Sequence, residues 1–131
     1  NLTTGLAEDT WGDVDTLKNV ENVVGSDFAD WFLGNASANT FTGGAGNDTL
    51  TGNGGNDTFT FAAGHGNDQI NDYNAGDVLD LRGLGFASVN DIVAASVGHD
   101  LGVQINTGDG SSIVLVDVNL TSIASLGYLF A

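Results

Sequence analysis

A large apolar residue returns every nine positions along the first half of the chain, at Val14, Val23, Phe32, Phe41, Leu50 and Phe59. The series slips by two residues and resumes at Ile70 and Leu79. Two places before these residues, from Val23 onward, stands an acid or an amide: Glu21, Asp30, Asn39, Asp48, Asp57, Asp68 and Asp77. A glycine opens successive units at Gly25, Gly34, Gly43 and Gly52. A glycine-rich linker would share this composition but not its phase. A helix cannot hold the pattern either. Nine residues make about two and a half helical turns, and each interior glycine costs about 1 kcal/mol relative to alanine. Thr58-Phe59-Thr60-Phe61 alternates with a period of two, the signature of a strand. Each unit therefore predicts a turn of six residues, rich in Gly and Asp, and a strand of three residues with one apolar side chain pointing inward. Such strands stack into two parallel sheets with two units per coil. The prediction is an all-β fold, a parallel β-roll, in which each coil is stabilised mainly by its neighbours.

Charge sharpens this picture. The 131 residues carry 17 acids against Lys18 and Arg82, a formal net charge of −15. All the acids are Asp except Glu8 and Glu21. Asp is a poor helix former and favours turns, so the charge belongs in the turns of the ladder. Such a surface repels nucleic acid and anionic membranes and attracts cations. The chain has no Cys, which excludes disulfides and thiolate metal sites. No apolar run reaches the ~18 residues of a membrane-spanning helix. The chain opens at Asn1 with no signal-peptide pattern and is expected to be part of a longer protein.

Residues 43–51, GGAGNDTLT, are followed by GNGGNDTFT at 52–60 and, after the slip, by AGHGNDQIN at 63–71. Residues 34–42, GNASANTFT, and 25–33, GSDFADWFL, keep the phase with fewer of the glycines. These units resemble the repeats-in-toxin (RTX) family, whose nonapeptide is G-G-x-G-x-D-x-U-x with U large and apolar. The first of them matches every fixed position. The resemblance spans roughly residues 12–82 and implies that several calcium ions are held in the turns. Physical chemistry supports the same cation. Calcium takes about six to eight oxygen ligands, glycine turns can aim carbonyls at one point, and Asp supplies the charge. One turn cannot fill that sphere, so stacked turns are expected to share an ion. The same-side pairs are Asp30 with Asp48, Asp48 with Asp68, and Asp57 with Asp77. Asn39 is neutral, so the Glu21–Asn39 and Asn39–Asp57 positions are expected to bind weakly or not at all. The resemblance implies that carbonyls complete each site, and position picks out Gly44, Gly46, Gly55, Gly64 and Gly66, with Asn53 at a matching place. The plainer alternative is that each Asp only caps its own turn. That does not account for acids stacked every nine residues with almost no basic partner.

Beyond Asp77 the texture changes. Val78–Leu81 continues as a strand, and Ser88 reads as the N-cap of a helix through Ile92–Ala95. Leu101–Ile105 and Ile113–Val118 alternate around Thr107–Ser111, a β-hairpin. A short helix is expected over Leu120–Leu126. The division expected is a calcium-binding roll with its lead-in over 1–82 and, over 83–131, a C-terminal cap of hairpin and short helices. The resemblance gives the second part a further role, as the uncleaved signal for type I export. The apolar ending Tyr128-Leu129-Phe130 suits either that signal or a helix packed on the cap.

No catalytic set emerges, and the chain itself is not read as an enzyme. His65 is expected to face solvent, and His99, beside Asp100, to start a hairpin strand. Trp11 and Trp31 suit core or interface packing better than sugar stacking. Asp72 and Asp80 read as surface strand positions or as extra ligands. The function expected is a calcium-binding module of a protein secreted by a Gram-negative bacterium. It would fold on meeting extracellular calcium and support the export and folding of an upstream passenger, with type I secretion machinery as a partner. The alternatives are a carbohydrate-binding accessory module of a polysaccharide-acting enzyme and a calcium-dependent adhesin or surface-layer segment.

Overall fold

The computed structural model of the chain describes residues 1–8, 14–16 and 20–130. An antiparallel pair, β1 (Leu6–Glu8) and β2 (Val14–Thr16), precedes seven strands that follow the nine-residue phase. These are β3 (Asn22–Val24), β4 (Trp31–Leu33), β5 (Thr40–Thr42), β6 (Thr49–Thr51), β7 (Thr58–Ala62), β8 (Asn67–Ile70) and β9 (Val78–Gly83). They part alternately into two sheets. One stacks Val23 on Phe41, Phe59 and Leu79, and the other stacks Phe32 on Leu50 and Ile70, all in parallel register. The chain forms the two-sheet parallel β-roll expected of it, with two units per coil.

The apolar ladder is the core. Phe41, Leu50, Phe59, Ile70 and Leu79 are all buried, and Val23 and Phe32 pack against them half-buried. The Phe41 and Phe59 rings stack at 5.7 Å between centroids. Each fully buried side chain of this size contributes about 1.5–3 kcal/mol by leaving water. That gain holds the three-residue strands, which are too short to persist alone. The two-residue slip is taken up by longer strands rather than a longer turn. β7 extends to Ala62 and brings in Phe61, which is buried like Leu81 on β9.

One ladder position departs from the expectation. Val14 keeps the nine-residue phase, but β2 pairs antiparallel with β1 and joins neither sheet of the roll. The apolar phase sets which face a residue presents and leaves its partner strand open.

The C-terminal part closes the other end. Helix α1 (Val89–Ala95) starts at Ser88 as expected, though the Ser88 hydroxyl does not cap it. The Asp91 carboxylate instead accepts from Ala87 N–H and from the Ser88 hydroxyl. An antiparallel meander follows, β10 (Ser96–His99), β11 (Gly102–Asn106) and β12 (Ser112–Val116). The hairpin of β11 and β12 was expected; β10 was not, so His99 ends a strand rather than starting one. β12 adds in parallel to β8, extending one sheet of the roll. A 3₁₀ helix, Leu120–Ser125, leads to β13 (Gly127–Leu129), which adds in parallel to β9. Tyr128 and Leu129 thus lie in a strand, where a helix packed on the cap was one expectation.

Candidate metal centre

The turns between strands stack along two sides of the roll and bring the ladder acids into two columns, Asp30–Asp48–Asp68 and Asn39–Asp57–Asp77. In each column, one side-chain oxygen accepts the backbone N–H of the counterpart one coil earlier. Asp48 accepts from Asp30 at 2.9 Å and Asp68 from Asp48 at 2.8 Å. Asp57 accepts from Asn39 at 2.8 Å and Asp77 from Asp57 at 2.9 Å. The expected pairs are therefore neighbours, each linked by a hydrogen bond. Glu21 lies exposed before Asn39.

The second oxygen separates the rungs into two kinds. In Asp30 it accepts from Ser26 N–H at 2.7 Å and from the Ser26 hydroxyl. Asn39 has a single side-chain oxygen, which accepts from Asn35 N–H at 3.0 Å, and Asp77 Oδ2 accepts from Asn74 N–H at 2.7 Å. Asp68 Oδ2 lies 2.6 Å from His65 Nδ1. Asp48 Oδ2 is buried with no hydrogen-bond partner. No described residue donates to Asp57 Oδ2. A buried acceptor left unpaired costs about 1–3 kcal/mol, and more for a charged group. Burial pushes the Asp48 carboxyl above its ordinary range, and the charges of Asp68 and Asp30 add to the rise. Burial likewise raises Asp57, with Asp77 and Asp72 adding to it. Both oxygens therefore lie where a cation would be welcome. The buried Asn39 Nδ2 also lacks a partner, but an amide N–H₂ seeks an acceptor and gains nothing from a cation.

The backbone around these two acids is built for carbonyl ligands. Gly44 and Gly46 have φ of +102° and +109°, and Asn53 and Gly55 of +69° and +103°. Gly64 and Gly66 share this left-handed conformation in the turn before Asp68. All six carbonyl candidates thus occupy the strained region that glycine, and less readily asparagine, can reach. Coils also approach closely there. A Cβ on Gly25 would collide with the Gly43 carbonyl, one on Gly34 with that of Gly52, and one on Gly66 with that of Gly46. The Gly43 and Gly52 carbonyls thus face the preceding coil, on the same side as the Asp48 and Asp57 carboxylates. Nothing in the sequence marks these two carbonyls, because the first glycine of a unit is equally accounted for by spacing. Among the described residues no three His, Asp or Glu side chains converge on one point. A cation here must take most of its ligands from backbone oxygens, which suits a hard ion such as calcium.

Several residues stand otherwise than expected. His65 does not face solvent; it is 2% exposed. Its Nδ1 faces Asp68, its Nε2 lies 3.1 Å from Thr107 Oγ1, and its ring meets Phe61 edge-on. Nothing in the local sequence signals this, because Thr107 arrives from the distant hairpin. Asp80 is buried and paired through both oxygens with Arg82, which holds its carboxyl below the usual range. Asp72 accepts from the N–H groups of Gly52 and Asn53, at 2.9 and 2.6 Å. Trp31 is not in the core: it is 72% exposed, as are Phe28 at 78% and Val24 at 75%. Trp11 lies outside the described residues.

A two-sheet parallel roll with stacked Asp columns, left-handed glycine turns and a buried carboxylate oxygen lacking a donor defines a solenoid of cation-seeking repeats. Residues 24–59 match the RTX calcium-binding nonapeptide repeat in four copies. The chain carries RTX repeats, and calcium is the ion they bind. No curated protein sequence matches this chain.

Proposed function

We infer that this chain is a calcium-dependent folding module of a secreted protein, and that ordering of its roll follows ion binding. One observation carries the reading: the Asp48 carboxylate is buried with one oxygen lacking any donor. Asp48 and Asp57 are the principal carboxylates. Asp30, Asp68 and Asp77 are neighbouring charges, and carbonyls of the turns, with Gly44, Gly46, Asn53, Gly55, Gly64 and Gly66 among the candidates, complete the ligand set. When calcium is scarce, a net charge of −15 opposes compaction. At the millimolar concentrations that extracellular modules respond to, binding free energy becomes folding free energy. A chain unfolded inside the cell and folded outside it suits export by a type I machinery of a Gram-negative bacterium, ahead of an upstream passenger. The module itself carries out no reaction. Circular dichroism of the chain in calcium and in chelator tests the reading. The sheet spectrum is expected only with calcium, and a native-like sheet persisting in chelator would overturn the coupling.

A second reading, a polysaccharide-binding accessory module, is favoured by the exposure of both Trp31 and Phe28. Exposed aromatic rings are natural stacking platforms for sugars. Retention on insoluble polysaccharide in calcium, lost in Trp31→Ala, would support it; equal retention of both would dismiss it.

A further inference from the structure

In the turns that carry Asp30, Asn39, Asp57 and Asp68, the second residue adopts one of two backbone states, and the two states send its N–H in opposite directions. Ser26 and Asn35 lack positive φ, and their N–H groups turn inward onto the side-chain oxygens of Asp30 and Asn39 in their own turns. Asn53 and Gly64 have φ of +69° and +79°. Their N–H groups turn away to carboxylates of the following layer, Asn53 to Asp72 and Gly64 to Asp109, each at 2.6 Å. N–H and C=O of a trans peptide point in opposite directions. Turning the Asn53 N–H toward Asp72 therefore turns the Gly52 carbonyl toward the preceding coil, where it stands against Gly34. The Asp57 carboxylate faces the same coil, through its bond from Asn39 N–H. One state caps the acid with its own backbone. The other withdraws that donor and offers a carbonyl oxygen in its place.

We propose that the second turn residue is a peptide switch that decides whether a rung takes calcium, and that Asp72 is a positioning residue holding the switch open at the Asp57 rung. Both Asp72 oxygens are engaged by N–H groups of the turn beneath, one from Gly52 and one from Asn53. Asp72 therefore acts on the ion through the peptide it fixes and not as a ligand. Asp109 holds the Gly64 peptide in the same manner, with its other oxygen fixed by Ser111 N–H and the Thr107 hydroxyl. There the uncapped Asp68 oxygen is met by His65. The self-capped state at Ser26 and Asn35 makes the Asp30 and Asn39 rungs independent of calcium.

This inference rests on calcium binding by the roll, and the test separates the two. Calcium affinity is measured by calorimetry for the wild type, Asn53→Gly, Asn53→Ala, and each of these two combined with Asp72→Ala. Both Asn53 variants lose the side-chain bond to the Gly34 carbonyl, so their comparison isolates the left-handed conformation that glycine tolerates and alanine resists. Asn53→Ala is expected to bind about tenfold more weakly than Asn53→Gly. Asp72→Ala is expected to weaken binding about tenfold on the glycine background, and by less than about twofold on the alanine background, where no open peptide remains to be held. Equal effects of Asp72→Ala on both backgrounds would make Asp72 a ligand or a bare charge and overturn the switch. Absence of calcium binding in the wild type would overturn the function itself. Amide exchange of the calcium-loaded wild type gives an independent reading. The Asn53 N–H is expected to be protected, and exchange as fast as that of an exposed loop amide would also overturn the proposal.

Discussion

At the scale of single residues, the central feature is a carboxylate that folding buries before giving it a partner. Asp48 is 1% exposed, with one oxygen unpaired. Asp48→Asn is therefore expected to have opposite effects in two states. It relieves the metal-free roll of a buried charge and weakens calcium binding by about tenfold or more. Measuring both on one variant separates a calcium ligand from a packing residue, which would lose stability in both states. The pH dependence follows from the same shifts. The folded-state carboxyls of Asp48 and Asp57 are raised above their ordinary value. Such groups stabilise the fold while protonated, and that contribution is lost as pH rises through their folded-state values. Calcium-stripped protein is thus expected to gain ordered sheet as pH falls from about 7 toward about 4. Calcium-loaded protein is expected to release ions over the same interval, as protons compete for the oxygens. Circular dichroism and a calcium-selective electrode would follow the two. The acids themselves were legible in the sequence because phase alone marks them. The burial of His65 was not, because its partner Thr107 lies 42 residues away. The role of Asp72 was equally hidden, since it depends on which way a peptide faces one coil below.

At the scale of elements, three-residue strands hold because each contributes one side chain to a continuous stack. Phe59 is fully buried and sits between Phe41 and Tyr73, 5.7 and 6.3 Å from their ring centroids. Phe59→Ala is expected to cost the calcium-loaded protein about 3–5 kcal/mol, measurable as a fall in the denaturation midpoint. Tyr73 ties the last coil to the end of the chain, with its hydroxyl 2.8 Å from the carbonyls of both Asp77 and Gly127. Tyr73→Phe is expected to cost about 1 kcal/mol and to loosen β13 selectively, which amide exchange at Tyr128 and Leu129 would register. The repeat strands from β3 to β9 were legible because period and spacing agree. β10 and β13 were not, because short segments with no strong alternation become strands only when an edge is there to pair with, the adjacent β11 for β10 and the distant β9 for β13. Val14 failed for the converse reason: it has the right phase, yet its strand pairs with β1.

At the scale of the molecule, apolar stacking along the axis of the roll opposes charge repulsion along its two sides. The cap extends both sheets and brings Thr107 and Asp109 onto the last turn of one column. In the proposed function calcium is the component that turns repulsion into attraction, and it does so where the protein supplies acceptors without donors. The most direct test is a crystal structure of the chain grown in millimolar calcium, with ions located by their anomalous scattering. The expected result is calcium at about 2.3–2.6 Å from Asp48 Oδ2 and from Asp57 Oδ2, with turn carbonyls completing each sphere. Those two oxygens bonded only to protein or water, in crystals saturated with calcium, would contradict it.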